Sequence, residues 1–226
     1  MDNNYISSLP RNLLINLALE LDLPDLIKWC RLNKRFNDLT CNNEQFWLNK
    51  IISKFDFKNS NEITKSNSES WKDYYKSIIT IKPDDLLIKG SKEGRLDLVK
   101  IALIRGADIN SNNDEALTLS SQNGYLEVVD YLIKQGANIR ARKDYAVRWA
   151  STKGHLEVVK HLVKHGANIR SDNDYAVRRS AEFGHLDVVK YLVGLGADIH
   201  AKMNYALSMA KHNRHLEMVK YLESLP

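Results

Sequence analysis

The chain has 226 residues, 43% of them hydrophobic and 27% charged, with a formal net charge of +5. That apolar share is enough for one or two packed domains, the charge bias is too slight for a chain disordered throughout, and no apolar run approaches the roughly 20 residues that span a bilayer. Cys30 and Cys41 are the only cysteines; they exclude a disulfide-dense scaffold, cannot complete a zinc site by themselves, and read as two buried or idle thiols.

Met1–Tyr5 has neither the basic start nor the small-residue cleavage site of a secretory signal, so the expected place is inside the cell, in cytoplasm or nucleus. From Leu9-Pro10, apolar residues at 13, 14, 17 and 21 follow helical spacing, with Pro10 tolerated in a first turn. A break at Asp22 to Asp25 precedes a second helix carrying Leu26, Ile27, Trp29, Cys30 and Leu32, which ends near Lys34-Arg35. Phe36, Leu39, Phe46, Trp47, Leu48 and Ile51 continue the spacing. So short a set of helices has a small core, marginal on surface-to-volume grounds unless a partner covers part of it.

The residues Leu9-Pro10, Leu13-Leu14, Leu17, Leu21, Asp25-Leu26-Ile27, Leu32, Lys34-Arg35-Phe36 and Trp47 resemble the F-box, a short three-helix motif. After an Asn/Ser-rich stretch from Asn59 to Glu69 that reads as a loop, Trp71-Lys72-Asp73-Tyr74-Tyr75 is similar to the helix that often follows an F-box. The resemblance implies a partner, a Skp-type adaptor that joins the chain to a cullin-based ubiquitin ligase. Leu9, Pro10, Leu13, Leu17, Leu26 and Ile27 are the positions that would carry the contact. The alternative is that these leucines pack only against the residues from 81 onward, as a helical cap. The expected layout is an F-box-like domain over residues 1–55, a loop and helix over 56–80, and a repeat region over 81–226.

Glycines recur at 94, 124, 154 and 184 and again at 106, 136, 166 and 196, each series advancing by 30 residues. The text between them hardly changes: Gly154-His-Leu-Glu-Val-Val-Lys-His-Leu-Val-Lys-His-Gly166 is succeeded by Gly184-His-Leu-Asp-Val-Val-Lys-Tyr-Leu-Val-Gly-Leu-Gly196. Apolar residues at 156, 158, 159, 162 and 163 share one helical face and Glu157, Lys160 and Lys164 the other. Gly166 suits a left-handed terminating position. A preceding helix from about Tyr145 to Lys153 opens at Asp144, read as its amino-terminal cap, and Gly154 makes the turn between the two. Neither helix can bury its apolar stripe alone, so the units stack, each covering the next.

Gly-His-Leu-Glu-Val-Val-Lys with Gly-Ala-Asn-Ile after it resembles the ankyrin repeat over roughly residues 81 to 226, in about five units (81–110, 111–140, 141–170, 171–200, 201–226). The family's units run to about 33 residues; the three missing here are expected to come from the hairpin finger. The fold class implied is all-α, an ankyrin solenoid preceded by a small helical domain. Thirty-residue units with this Asn, Lys and Ile richness are similar to ankyrin proteins of large DNA viruses. The units beginning at 81 and 201 are expected to act as caps.

Up to Thr80 there are 11 Lys+Arg against 10 Asp+Glu, so of the totals of 33 and 28 the remainder of the chain holds 22 against 18. Positions on first helices and fingers that vary between units are candidates for recognition, because stacking does not fix them: Arg140, Arg142, Lys143, Arg148, Trp149, Arg170, Arg178 and Arg179. Arginine and tryptophan are the types that most often anchor interfaces, and the implied target is an acidic protein surface. His155, His185 and His215 recur at repeat spacing, which sets them in a row, whereas metal ligation needs convergence. They read as structural turn residues. His161 and His165 share a face without the glutamate of a zinc-protease helix. No Gly-rich phosphate loop, nucleophile elbow or Cys/His pair is found, which points away from an enzyme, and no cofactor or metal is expected.

Three functions fit these features. The first is a substrate-recruiting ligase subunit, monomeric outside its complex, that acts by proximity. The second is a plain binding module that sequesters a partner protein. The third, nucleic-acid binding through the arginines, is ranked last because the basic excess is small.

Overall fold

The computed structural model describes residues 9–65 and 68–225; the reading on Met1–Tyr5 lies outside them. Among the described residues every regular element is helical, and no helix is long and apolar enough to cross a membrane. The chain divides into two compact units between Lys82 and Pro83.

In the first unit, helices span Arg11–Glu20, Leu23–Leu32, Lys34–Leu39, Glu44–Lys54 and Trp71–Thr80. Short polar residues start four of them. Side chains of Asp22, Asn33, Asn43 and Ser70 accept from the amides of Asp25, Phe36, Phe46 and Asp73, satisfying donors that a first turn leaves open. Asp22 therefore begins the second helix rather than a longer break, with Asp25 inside it. The basic pair Lys34-Arg35 opens a separate short helix. The core is Leu14, Ala18, Leu26, Phe36, Phe46, Trp47, Ile51, Tyr75 and Ile78. Trp47 stacks 5.3 Å from Tyr75 and its indole N–H donates to Cys41 O at 3.1 Å. The helix Trp71–Thr80, expected within a linker, packs on Glu44–Lys54, and its first amide donates to Glu44 Oε2 at 2.7 Å. Asn59–Glu69, expected as loop, has among its described residues one 3-10 turn, at Ser60–Glu62.

The first helix has no basic residue in its last turn, and Lys50 supplies one from elsewhere. Its ammonium donates to the carbonyls of Ala18, Leu19 and Leu21 at 3.1, 2.8 and 2.7 Å, at the negative end of the helix dipole. The side chain is only 2% exposed. Cys30 and Cys41, read as idle thiols, are joined as a disulfide with Cα atoms 6.2 Å apart, within the range a disulfide allows. The intervening residues conceal this from the sequence, because the break at Asn33 turns the chain back and brings the second cysteine beside the first.

Five helical hairpins make up the second unit: Pro83–Glu93 with Leu96–Ile104, Ser111–Gln122 with Leu126–Lys134, Ala141–Thr152 with Leu156–Lys164, Ser171–Glu182 with Leu186–Gly194, and Ala201–His212 with Leu216–Glu223. Each first helix packs against that of the next hairpin and against its own second helix. In the third hairpin Val158, Val159 and Leu162 are buried, whereas Leu156 and Val163, assigned to the same face, are only partly buried. Truncation at Leu162 is therefore the one expected to cost the roughly 2–5 kcal/mol typical of a core cavity.

The shortened finger takes a form the sequence reading did not foresee. Asn112 to Asp114, Arg142 to Asp144, Asp172 to Asp174 and Lys202 to Asn204 each place three successive residues in the left-handed region, with φ between 52° and 61°. Side chains other than Asn and Asp resist that region, and Asn or Asp fills most of these positions. The right-handed helix begins only afterwards.

Asp144 consequently does not cap its own helix. Its carboxylate accepts from the amide of Asn168 at 2.7 Å, in the finger that leads to the next hairpin, and from the hydroxyl of Ser171, where that hairpin begins, and pairs with Arg140 at 2.6 Å. Asp84, Asp114 and Asp174 make the equivalent bond to the amides of Asp108, Asn138 and Asp198. His155, His185 and His215 span hairpins in the other direction, each with Nε2 within 3.0–3.1 Å of the carbonyl of Gln122, Thr152 or Glu182.

Candidate protein-binding surface

The first helices of three consecutive hairpins present a tyrosine at the same register, Tyr145, Tyr175 and Tyr205, each half-buried. Arginines three residues on fill the gaps between the rings. The Arg148 guanidinium lies 5.4 Å from the Tyr145 ring centroid and 4.2 Å from that of Tyr175; Arg178 lies 5.6 Å from Tyr175 and 5.3 Å from Tyr205. Arg142 extends the row, 5.0 Å from Tyr145, and Trp149 meets Tyr145 edge-on at 5.8 Å. Ring faces carry negative potential, so each guanidinium is attracted, by about 0.5–1 kcal/mol at the exposed Arg142 and by more at the less solvated Arg148 and Arg178. The result is a row of alternating aromatic and cationic groups across hairpins three to five.

Acidic and carbonyl oxygens fix the cations in place. Arg148 pairs with Asp172 at 2.6 Å. Arg178 donates to the carbonyls of Asn173 and Asp172 at 2.8 and 3.1 Å, which closes the left-handed turn of its own finger. Only 8% exposed, Arg178 is thus removed from the surface to which the sequence reading assigned it, because it serves the turn carbonyls and its stem fits between two rings. Arg179 is held by Glu182, which also accepts from the Tyr205 hydroxyl at 2.8 Å. Its guanidinium lies over Phe183, 5.1 Å from the centroid.

The outward-facing members are Arg140, Arg142, Lys143 and Arg170, all exposed on the fingers. Arg140 and Arg170 each pair with the buried aspartate four residues on. Arg148, Trp149 and Arg179 are half-buried between them. Sequence reasoning missed the row of tyrosines and, having read Asp144 as a cap, the ties made by the aspartates at 84, 114, 144 and 174, although both series recur at thirty residues. On the second helices, His161 stacks on His165 at 4.4 Å and faces Asp130 of the preceding hairpin at 3.2 Å. Burial, then the nearby His165, holds His161 below the ordinary histidine range.

In the first unit the six residues assigned to adaptor docking do not share one environment. Pro10 and Leu13 are exposed, and Leu9, Leu17 and Ile27 are half-buried. Leu26 is fully buried in the core and is corrected from a contact residue to a packing one, since its side chain lies inside with Phe36 and Trp47 rather than in solvent.

No curated protein matches the chain. A family model described as ankyrin repeats (3 copies) matches residues 86–173 and, in a second placement, 140–203. These matches jointly cover just over half of the sequence and fall on the helical hairpins of the second unit, so the chain belongs to the ankyrin-repeat family.

Proposed function

We propose that this chain is an adaptor whose ankyrin hairpins bind an acidic segment of a partner protein along the fingers and first helices of hairpins three to five. Ankyrin repeats are typically non-enzymatic protein-interaction modules, and this reading adds the partner's chemistry and the residues that meet it. The observation that carries it is the row of arginines stacked between Tyr145, Tyr175 and Tyr205 and edged by exposed basic fingers. Side chains already locked on rings lose little rotamer freedom when a ligand arrives, and Arg, Tyr and Trp are the types that carry most binding energy at interfaces. Arg140, Arg142, Lys143 and Arg170 meet the partner's carboxylates, with Arg148, Trp149 and Arg179 beneath them. Arg178 acts indirectly by holding its finger closed.

The first unit, on the same proposal, docks the chain onto a Skp-type adaptor of a cullin ubiquitin ligase through Leu9, Pro10, Leu13, Leu17 and Ile27. The F-box resemblance and the exposed Leu13 at the edge of a small core support this. Affinity purification of the full chain from a eukaryotic lysate, read by mass spectrometry, tests both halves. Leu13→Asp with Leu17→Asp is expected to lose the Skp-type adaptor and cullin while keeping the ankyrin partner. Arg142→Glu with Arg170→Glu is expected to do the reverse. Retention of an ankyrin partner with no ligase component in any sample would leave a plain sequestering module. An unchanged partner list in the arginine variant would refute the surface.

A further inference from the structure

The disulfide of the first unit is not sealed in the core. Cys30 and Cys41 form part of the wall of an open recess of about 390 Å³, whose other lining residues are Ile27, Arg31, Asn37, Lys72 and Lys76. Arg31, Lys72 and Lys76 make that wall cationic, although the residues up to Thr80 carry nearly balanced charge. Of those cations, Lys76 has an exposed carboxylate partner, Asp73, at 3.4 Å.

Cationic groups beside a sulfur do two things. They attract anionic thiols, and they stabilise the thiolate that leaves when a disulfide opens, which governs exchange rates. The two sulfurs are also unequal. Cys30 is 9% exposed as a residue and Cys41 4%, and Cys30 is the one assigned to the incoming thiol. Thr40 Oγ1 lies 3.4 Å from Cys30 Sγ and already donates its proton to Phe36 O at 2.6 Å. It therefore offers Cys30 only a lone pair and is placed to accept from a Cys30 thiol.

From this geometry we infer that the recess is a thiol–disulfide exchange site whose co-substrate is a small anionic thiol of the glutathione class. The incoming thiolate bonds to Cys30 Sγ, the Cys30–Cys41 bond breaks, and Cys41 leaves as a thiolate beside the cationic wall. A second equivalent of the same thiol attacks the outer sulfur of the mixed disulfide and departs as the oxidised dimer. The two electrons go to the two cysteines, Cys30 is protonated from water and its S–H donates a hydrogen bond to Thr40 Oγ1, and Cys41 is protonated from solvent as pH requires. Opening the bond frees the segment between Leu23–Leu32 and Glu44–Lys54 from its covalent tie, in the same unit as the proposed adaptor surface. The inference does not depend on that surface.

The test uses the full chain purified without reductant. Free thiols are counted by iodoacetamide labelling and mass spectrometry during reduction by glutathione or by neutral 2-mercaptoethanol, at matched thiolate concentrations. At low salt glutathione is expected to be faster by roughly tenfold, a modest case of electrostatic steering. The excess should disappear at high salt and in Arg31→Gln with Lys72→Gln and Lys76→Gln. Should that variant misfold, the salt dependence of the wild type decides alone. Equal rates with the two thiols, or two cysteines that label at once before any reductant is added, would overturn the inference.

Discussion

The carboxylate of Asp144 accepts a hydrogen bond from the amide of Asn168, 24 residues on and in the next finger of the stack, at 2.7 Å. Asp144 is 1% exposed and also takes the Ser171 hydroxyl and the Arg140 guanidinium, so one side chain ties together two fingers. Asp144→Ala removes one buried acceptor shared by three donors, and should cost about 2–3 kcal/mol. Asp144→Asn keeps an acceptor and tolerates the left-handed backbone, so about 1 kcal/mol is expected. Glu157→Ala, which breaks only an exposed pair with Lys160, should cost less than about 0.5 kcal/mol. Urea unfolding ranks the three; equal losses would show that the aspartate is not an inter-repeat tie.

Two glycines in the same hairpin separate backbone strain from steric conflict. Gly154 has φ +78°, and a Cβ there would lie 2.5 Å from His185 Nδ1. Gly166 has φ +97° and nothing within 4 Å of the same added atom. Gly166→Ala should cost the left-handed penalty alone, about 1–2 kcal/mol. Gly154→Ala must also displace the ring that bonds Thr152 O, and should lose about 1 kcal/mol more, in line with one hydrogen bond. Thermal unfolding of the pair provides the comparison, and a smaller loss at Gly154 would argue against the histidine tie.

Met203 sits in a left-handed finger with φ 58° and is 98% exposed. It makes no packing contribution that could offset its backbone cost. Met203→Gly and Met203→Asn should therefore stabilise the chain, by about 1 and about 0.5 kcal/mol, while Met203→Ala should leave the midpoint nearly unchanged. No gain in either of the first two variants would mean that this finger is not left-handed.

Much of this architecture was legible because it rests on local periodicity. The thirty-residue spacing of Gly154 and Gly184 and the apolar stripe of Val158, Val159 and Leu162 declare hairpins that must stack, and Asn33, Asn43 and Ser70 mark helix starts by type. What escaped depends on where one hairpin meets the next. Asp144 before a helix has the same one-dimensional appearance whether it caps that helix or reaches Asn168. Arg178 and Arg179 are adjacent in sequence, yet the helix turns one inward onto finger carbonyls and the other toward Glu182. Leu26 and Leu13 are both leucines on amphipathic helices, and only packing shows which is outside. The disulfide escaped because spacing alone does not report a chain reversal. The three-residue left-handed turn had a visible trace in Asn112-Asn113-Asp114 and Asp172-Asn173-Asp174, whose side chains are those that tolerate positive φ.

Lys50 and Tyr75 make the first unit's stability depend on alkaline pH with a calculable sign. Burial, then the nearby Lys54, lowers the Lys50 pKa from 10.5 to about 8. Between those values the unfolded chain holds more protons than the folded one, so stability rises with pH. Burial, then the charge of Asp22, raises the Tyr75 pKa from 10.0 to about 12. Across that window the folded chain holds more protons, so stability falls as pH rises. The denaturant midpoint of the first unit should climb from about pH 8, crest near pH 10 and then decline. Trp149→Phe confines the fluorescence to Trp29, Trp47 and Trp71 and so reports this unit alone. In that background Lys50→Met strips the three carbonyls at the end of Arg11–Glu20 of their donor and should cost about 2–3 kcal/mol near neutral pH. It should abolish the climb while sparing the decline, which belongs to Tyr75. A climb that survives in Lys50→Met would assign it to another group and exclude the lysine as its source.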